Sequence, residues 1–220
     1  LYIAISVGEV SKLKFNDYFV QEGLAFRFTP FNYRVWGDAE GDNGYAVDIE
    51  KLYDNVMNRY KYGGLDTPGL YLDETTLRTC YYHRRLFAQL AKELIKQGDH
   101  VRARKVLTYA EQAVPAYNVP EIYESGSFDI ATAYAALGEK TKAVTLFNHL
   151  IAESEDYINW AFSLGNGRTG MMQNDCLYKF WQWNAYNERM KEIDKESYEA
   201  SNRRFEEKYA LFTQIINNRN

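Results

Sequence analysis

The chain has 220 residues, with 26 Lys and Arg against 30 Asp and Glu, which gives a formal net charge of -4 at pH 7. Its basic residues are scattered, so the positive field that nonspecific nucleic-acid binding needs is missing. The only two cysteines, Cys80 and Cys176, make no CxxC or metal-type spacing, and the sequence leaves their disulfide state open. We expect no nucleic-acid partner, no metal and no cofactor.

The first 72 residues differ in pattern from the rest. Residues 1–6 and 24–31 are rich in aromatic and branched side chains and predict short strands. A polar helix or turn is predicted between them at residues 16–23. The chain opens on an apolar run without a methionine or a basic prefix, which indicates an excised fragment of a longer protein.

A segment rich in glycine and aspartate follows at residues 37–48 and predicts an exposed loop. Four of its side chains resemble the opening of a calcium-binding loop: Asp38, Glu40, Asp42 and Asn43. The match then fails, because Gly44 and Glu50 each fall one residue too late for the turn and for the last ligand. A solvated loop is the favoured interpretation.

Two helix boundaries can be placed before the repeats. A helix is predicted at residues 49–60, and Gly63-Gly64 ends it. Asp73 is interpreted as the N-cap of the next helix, which leads into the first repeat.

An internal repeat is the clearest signal in the sequence. Small and apolar residues recur around Gly98 at tetratricopeptide spacing: Phe87, Leu90, Ala91, Leu94, Ala103, Leu107 and Ala110. Alanine is small where two antiparallel helices approach closely, and glycine suits the turn between them. Pro115 then stops the second helix.

A second copy lies around Gly138. It comprises Ile130, Ala131, Tyr134, Ala143 and Phe147. The copy is degraded at its end, where Leu150 and Glu155 replace the last small residue and the proline. The two glycines are 40 residues apart, against 34 in a regular array, and the surplus at residues 117–120 predicts an insertion.

Downstream, residues 157–164 predict a short amphipathic helix, and residues 165–170 predict a mobile loop. Its glycines and Arg168 are typical of an anion-binding site at the start of a helix, but it lacks the Gly-Lys-Ser/Thr ending of a nucleotide-binding loop. A further helix pair is predicted at residues 171–220. Its closing helix carries one apolar stripe formed by Phe205, Tyr209, Phe212 and Ile216.

We identify no catalytic residue. Asp17 with Glu22, and Asp73 with Glu74, supply neighbouring carboxylates, but glycosidase chemistry needs two carboxyls facing each other across a cleft. The three histidines are His83, His100 and His149. Each stands without a Cys or Ser partner at a diagnostic spacing.

The N-terminal motifs also carry a family resemblance. In chain order they are Tyr2-Ile3-Ala4-Ile5-Ser6, Asp17-Tyr18-Phe19, Glu22-Gly23-Leu24-Ala25-Phe26-Arg27, Pro30, Tyr53-Asp54-Asn55-Val56-Met57-Asn58, Gly63-Gly64 and Tyr71-Leu72-Asp73-Glu74. Over residues 1–164 this series resembles the soluble C-terminal region of a family of large bacterial membrane proteins, frequent in Bacteroidetes and named DUF2723. Members of that family look like polytopic glycosyltransferases of the dolichol-sugar-using, protein O-mannosyltransferase-like class, with tetratricopeptide repeats after the membrane portion.

The resemblance implies that the catalytic acid and the lipid-sugar site lie in a membrane portion outside this chain. It also implies that the chain sits on the periplasmic face of the inner membrane and meets the membrane only through that portion. No catalytic residue of the family is carried onto these residues.

We therefore predict a mainly α fold, a tetratricopeptide-like α-α superhelix with a small N-terminal segment of short β-strands. A mixed segment at residues 1–72 is expected to pack on a helical region at 73–220. Within that region we place repeats at about 84–117 and 124–157 and divergent helices at 171–220.

The predicted function is a non-catalytic protein-interaction or scaffold domain that binds a protein or peptide, either an acceptor polypeptide or its own membrane portion. Possible partner contacts are Asp54, Asn55, Asp73, Glu74, Trp160 and Arg168. The alternatives are a structural brace and a carbohydrate-binding or glycan-active domain. The latter would use exposed aromatics as stacking platforms, such as Trp36, Trp160, Trp181 or Trp183.

Overall fold

The computed structural model describes residues 1–7, 15–32 and 46–217. The chain divides into two compact units, Leu1–Pro120 and Glu121–Asn220. Helices dominate both, and a small sheet lies at the N-terminal end. The predicted mainly α fold class with short N-terminal strands is confirmed. The boundary predicted at residue 72 falls just before a long helix, whereas the two compact units divide after the first helix pair.

The sheet of the first unit contains β1 (Tyr2–Ala4), β2 (Phe19–Gln21), β3 (Ala25–Phe28) and β4 (Ala46–Val47). Their spatial order is β1-β3-β2-β4. The β1/β3 and β2/β3 pairs are antiparallel, and β2 runs parallel to β4. Phe19 and Phe26 form a small buried cluster on which Ile3 packs.

Two sequence predictions for this region were wrong in part. A polar helix or turn was expected at residues 16–23, but only Asn16–Tyr18 forms a 3-10 turn, and β2 follows it. An exposed loop was expected at 37–48, but Ala46 and Val47 are buried in β4; residues 37–45 lie outside the described part of the chain. Both strands are too short for a period to show in the sequence, and their burial and strand pairing determine their conformation.

Helix α1 spans Ile49–Asp54 and continues as a π-helical turn over Asn55–Arg59. The Asp48 carboxylate caps its start by accepting from the Lys51 backbone N–H at 3.1 Å. The helix predicted at 49–60 is therefore present, with a wider final turn. The extra residue in that turn rotates the residues that follow it.

The first helix pair consists of α2 (Glu74–Lys96) and α3 (His100–Ala113). The predicted repeat residues form its interior: Phe87, Leu90, Ala91, Leu94, Ala103 and Leu107 are fully buried, and Ala110 is nearly so. Asp73 caps α2 as predicted, accepting from the backbone N–H groups of Thr75 and Thr76. Helix α1 packs on α2, so the N-terminal segment and this pair share one unit.

The predicted insertion after α3 is held tightly within the first unit. Arg84 of α2 is buried and donates to the carbonyls of Val114, Val119 and Pro120. The Asn118 side-chain amide donates to the carbonyls of Leu65 and Thr67 at 2.7 and 2.6 Å. These bonds satisfy backbone carbonyls that a helix would otherwise have paired.

The second pair consists of α4 (Ser127–Ala136) and α5 (Lys140–Ser163). Its turn reproduces that of the first pair. Gly98 and Gly138 have φ of 79° and 78°, and the next residues, Asp99 and Glu139, donate to Leu94 and Tyr134 carbonyls, both at 2.9 Å. This is the Schellman arrangement of a glycine-ended helix. The helix pair therefore recurs in local backbone geometry as well as in sequence.

The second pair differs in the length of its second helix. Helix α3 ends at Ala113, two residues before Pro115, whereas α5 continues through Glu155 to Ser163. Glutamate keeps the backbone N–H that proline lacks, so the helix is not stopped there. The helix predicted at 157–164 is therefore present, but it forms the end of α5 and is not a separate element.

The described residues of the second unit contain three more helices: α6 (Asn166–Met171), α7 (Gln173–Ile193) and α8 (Lys195–Asn217). Helix α7 packs on both α5 and α8. The loop predicted at 165–170 was wrong, since those residues form α6 after Gly165, and the buried Thr169 hydroxyl donates to the Ala161 carbonyl at 2.8 Å. The closing helix is present as predicted, and its Phe212 contacts the ring of Phe180 on α7.

None of the helices in the described part of the chain combines the length and apolarity needed to cross a bilayer.

The helix-pair interior provides a stability test. Ala143 is fully buried at the close approach of α4 and α5, whereas Ala152 on the same helix is exposed. We expect Ala143→Leu to destabilise the protein by about 1–3 kcal/mol through overpacking. Ala152→Leu should change stability little. Urea unfolding followed by far-UV circular dichroism measures both, and equal midpoints for the two variants would contradict the tight helix contact.

Candidate functional site

A polar pocket of about 310 Å³ lies in the first unit, between the sheet and α1. Its lining residues include Tyr2, Glu22, Lys51, Asp54, Asn55 and Arg59. Two of the residues predicted to contact a partner, Asp54 and Asn55, thus line this pocket.

Glu22 is the centre of this pocket. Its side chain is only 8% exposed. The carboxylate accepts from the Arg27 guanidinium, from Lys51 Nζ at 2.8 Å and from the Tyr2 hydroxyl at 3.3 Å. Burial alone would raise the pKa of Glu22, but the hydrogen bonds from Lys51 and Arg27 outweigh it and lower the pKa. Glu22 is therefore held in its ionised form.

The π-helical turn after α1 fixes the opposite wall. Asn55 donates from its side-chain amide to the Glu22 carbonyl at 2.6 Å, and Asp54 pairs with Arg59 at 2.6 Å. The turn also brings the Tyr60 hydroxyl within 2.9 Å of the Leu24 backbone N–H, which donates to it. A Cβ atom on Gly23 would lie 2.1 Å from that hydroxyl, and φ of 139° further favours glycine there.

Positive and negative charges balance in this pocket. Glu22 is shared by Arg27 and Lys51, Asp48 lies 3.8 Å from Lys51, and Asp54 pairs with Arg59. The groups that could bind a ligand therefore already bind one another. The geometry supports a structural role for these residues, which tie the β2–β3 hairpin to α1. Asp54 and Asn55, which the sequence analysis named as possible partner contacts, belong to this structural cluster.

A second cavity of about 460 Å³ in the same unit is lined by tyrosines and amides, among them Tyr60, Tyr62, Tyr109, Asn58 and Gln112. The Tyr62 hydroxyl donates to the Val56 carbonyl at 2.7 Å, so this group is used by the fold. His83 packs edge-on against the Tyr60 and Tyr62 rings, and burial lowers its pKa. This half-buried histidine among tyrosine rings serves packing here.

The other four predicted contacts are not among the lining residues of this pocket, and two of them, Trp160 and Arg168, belong to the second unit. Glu74 is exposed on the first turn of α2 and pairs with Arg78 at 2.6 Å, next to the cap formed by Asp73. Arg168 is exposed on the short helix α6. Trp160 on α5 is 50% exposed, with its ring edge-on to Tyr157. The structure therefore does not gather the six predicted residues into one site.

The second unit presents a group of three rings, which we name the aromatic surface: the exposed Tyr178 and Trp181 and the half-buried Tyr123. Tyr178 and Trp181 stack with their planes at 13° and their centroids 5.7 Å apart. Tyr123 meets Trp181 edge-on at 5.2 Å. Tyr178 is 43% exposed and Trp181 52% exposed. Large rings arranged in contact with one another and open to solvent are typical of binding surfaces.

Rigid elements hold the aromatic surface in place. Tyr178 and Trp181 are three residues apart on α7, so they project from the same face of that helix. Tyr123 lies in a 3-10 turn (Tyr123–Ser125), where the buried Ser125 hydroxyl donates to the Ile122 carbonyl at 2.8 Å. Behind Tyr123, the rings of Phe128 and Tyr186 continue into the core. The rings are therefore ordered before any partner binds.

The sequence analysis found only part of this surface. Trp181 was named as a possible stacking platform, and it is exposed. Trp183 was named too, but it is fully buried, and its indole N–H donates to Ser201 at 2.8 Å. Trp36 lies outside the described residues. Tyr123 and Tyr178 were missed, because α7 carries aromatics on its buried and exposed sides alike and offers no clear periodicity.

Metal and thiol chemistry find little support in the described part of the chain. No group of three or more His, Cys, Asp or Glu side chains that could hold a metal occurs there. The calcium-like residues Asp38, Glu40, Asp42 and Asn43 lie outside it, and Glu50 pairs with Arg102 at 2.8 Å. Cys80 and Cys176 are free and buried, and burial raises the pKa of both thiols.

Comparisons with protein-family models, curated proteins and solved structures gave no match. The resemblance to the membrane glycosyltransferase family stays a prediction.

The ion cluster at Glu22 generates a prediction with a defined pH dependence. We expect Glu22→Gln to lower stability at pH 7 by about 1–3 kcal/mol, because both cations lose their shared carboxylate. The folded-state pKa of Glu22 lies below its ordinary value of 4.5. Its stabilisation is therefore present above pH 4.5 and is lost as the pH falls through the folded-state pKa.

Chemical unfolding of the wild type and Glu22→Gln from pH 7 to pH 3 measures this effect. The stability difference should shrink below pH 4.5. Glu74→Gln, which breaks only the exposed pair with Arg78, is the matched control and should have little effect. A difference that is constant with pH would show that Glu22 is not held ionised.

Proposed function

We propose that the chain is a non-catalytic protein-interaction or scaffold domain, and that the aromatic surface formed by Tyr123, Tyr178 and Trp181 contacts its partner. The observation that carries this proposal is the exposure of stacked rings on rigid helices. Tyr and Trp are enriched among the residues that dominate binding energy at protein interfaces. Rings held in place before binding lose little conformational entropy when a partner docks.

Two features of the structure support a peptide or protein partner, one in each unit. Leu177, also exposed, precedes Tyr178 on α7 and widens the apolar area. The polar pocket of the first unit, in contrast, has its charged groups satisfied within the fold. A helix face with adjacent aromatic and aliphatic side chains is a common site for a partner's side chains.

We also propose that this domain is the periplasmic C-terminal part of a membrane glycosyltransferase-like protein. The sequence motifs that resemble that family support this context. Within it, the partner would be an acceptor polypeptide or the membrane portion of the same protein.

Selection from a displayed random-peptide library tests the interaction proposal. We expect clones whose affinity falls about tenfold or more with Trp181→Ala, which corresponds to about 1.4 kcal/mol at one interface residue. Trp160→Ala, which removes an equally exposed indole from α5, is the matched control and should leave the same clones unaffected.

Binders that are insensitive to Trp181→Ala would contradict the proposed surface. Trp181-dependent binding on a glycan array, without any peptide binder, would instead favour the carbohydrate-binding alternative.

The membrane context has its own test in the gene that encodes the chain. We expect several apolar stretches of about 20 residues upstream of Leu1, as needed for transmembrane helices. A complete upstream sequence without such stretches would remove the glycosyltransferase context while leaving the interaction proposal intact.

A further inference from the structure

Acidic side chains border the aromatic surface. Glu124 follows Tyr123 directly in the 3-10 turn, and its carboxylate accepts from the side-chain amide of Gln182 at 3.0 Å. Gln182 is fully buried and lies next to Trp181 on α7. This bond therefore fixes a carboxylate beside the exposed rings.

The charges of these acids reach the rings. Burial raises the pKa of Tyr123, and the negative charges of Asp129 and Glu124 raise it further. Burial also raises the pKa of Tyr178, with Glu124 among the further causes. Asp129 is exposed on the first turn of α4. Asp129 and Glu124 thus place two carboxylates near the aromatic surface, and the net charge of -4 has the same sign.

Exposed aromatic rings beside a carboxylate are complementary to a planar cation. The guanidinium of arginine stacks on aromatic faces and binds carboxylates, and it is more weakly hydrated than an ammonium group. Glu124 already takes part in side-chain hydrogen bonds with Gln182 and Tyr178, and an arginine would add to these bonds, because an ionised carboxylate has about four acceptor sites. An anionic ligand would meet repulsion from Glu124 and Asp129 at the same place.

We infer that the aromatic surface docks a basic peptide segment of the partner, with an arginine side chain stacked on Trp181 and paired with Glu124. This inference rests on the proposed function and adds the chemistry of the partner. The rings supply contact area, and the negative carboxylate favours a positively charged side chain on the partner. Lysine fits less well, because its ammonium group is compact and cannot stack as a plane.

Four short peptides test the inference on the whole chain labelled with ¹⁵N: acetyl-Gly-Arg-Gly-Arg-Gly-amide and its Lys, Glu and Ser counterparts. The indole N–H signal of Trp181, assigned from its loss in Trp181→Phe, reports binding at the site itself. The Arg peptide should shift this signal saturably, the Lys peptide more weakly, and the Glu and Ser peptides not at all. Added salt should weaken the Arg peptide's binding.

Matched variants separate this site from general attraction to an acidic protein. Trp181→Ala and Glu124→Gln should each weaken the Arg peptide about fivefold or more. Trp160→Ala and the exposed-site variant Glu192→Gln should change its affinity less than twofold. Glu124→Gln keeps an acceptor for Gln182, and unchanged circular dichroism of each variant shows that the fold is retained.

Equal shifts with the Glu peptide, or equal losses in Glu124→Gln and Glu192→Gln, would overturn the inference. Trp181-dependent library binders that lack basic residues, with no shift by the Arg peptide, would overturn it while the proposed interaction surface stands. Failure to find any Trp181-dependent binder would sink both.

Discussion

The close approach of antiparallel helices at alanine is the constraint on which the rest of this structure depends. The helices of each pair pack on each other, and Ala91 and Ala103 in the first pair, and Ala131 and Ala143 in the second, are fully buried. A larger side chain at these positions would separate the helices and expose the neighbouring apolar residues, such as Phe87 and Phe147. Each pair therefore provides the rigid framework to which the other elements of its unit attach.

In the first unit, the attached elements are held largely by polar contacts. The Glu22 cluster joins the hairpin to α1, and Arg84 holds the connection after α3 by donating to three backbone carbonyls. A buried ionised group destabilises a fold unless its partners compensate for lost hydration, so such clusters require complete pairing. The pairing that makes this region stable also leaves few of its charged groups open for a ligand.

In the second unit, aromatic contacts hold the elements together. Trp183 packs on Phe205 in the interior, and its indole N–H is bound by Ser201, which in turn donates to Asn187 at 2.6 Å. On the other side of the same helix, Tyr178 and Trp181 face solvent. One helix thus uses its aromatic residues both for packing and for an exposed surface, and the difference lies in which neighbours each ring meets.

The sequence by itself determined the helix pairs, their glycine turns and the cap at Asp73, since these depend on contacts between residues close in the chain. That Pro115 stops a helix was also read from the sequence, whereas only the structure showed that α5 continues past Glu155 to Ser163. Only the tertiary structure decided that residues 19–21 form a strand, that Asp54 and Asn55 belong to a closed ion cluster, and that Trp181 is exposed while Trp183 is buried. Those outcomes depend on neighbours that are distant in sequence. Because aromatic residues lie on nearly all sides of α7, its sequence does not indicate which side is buried.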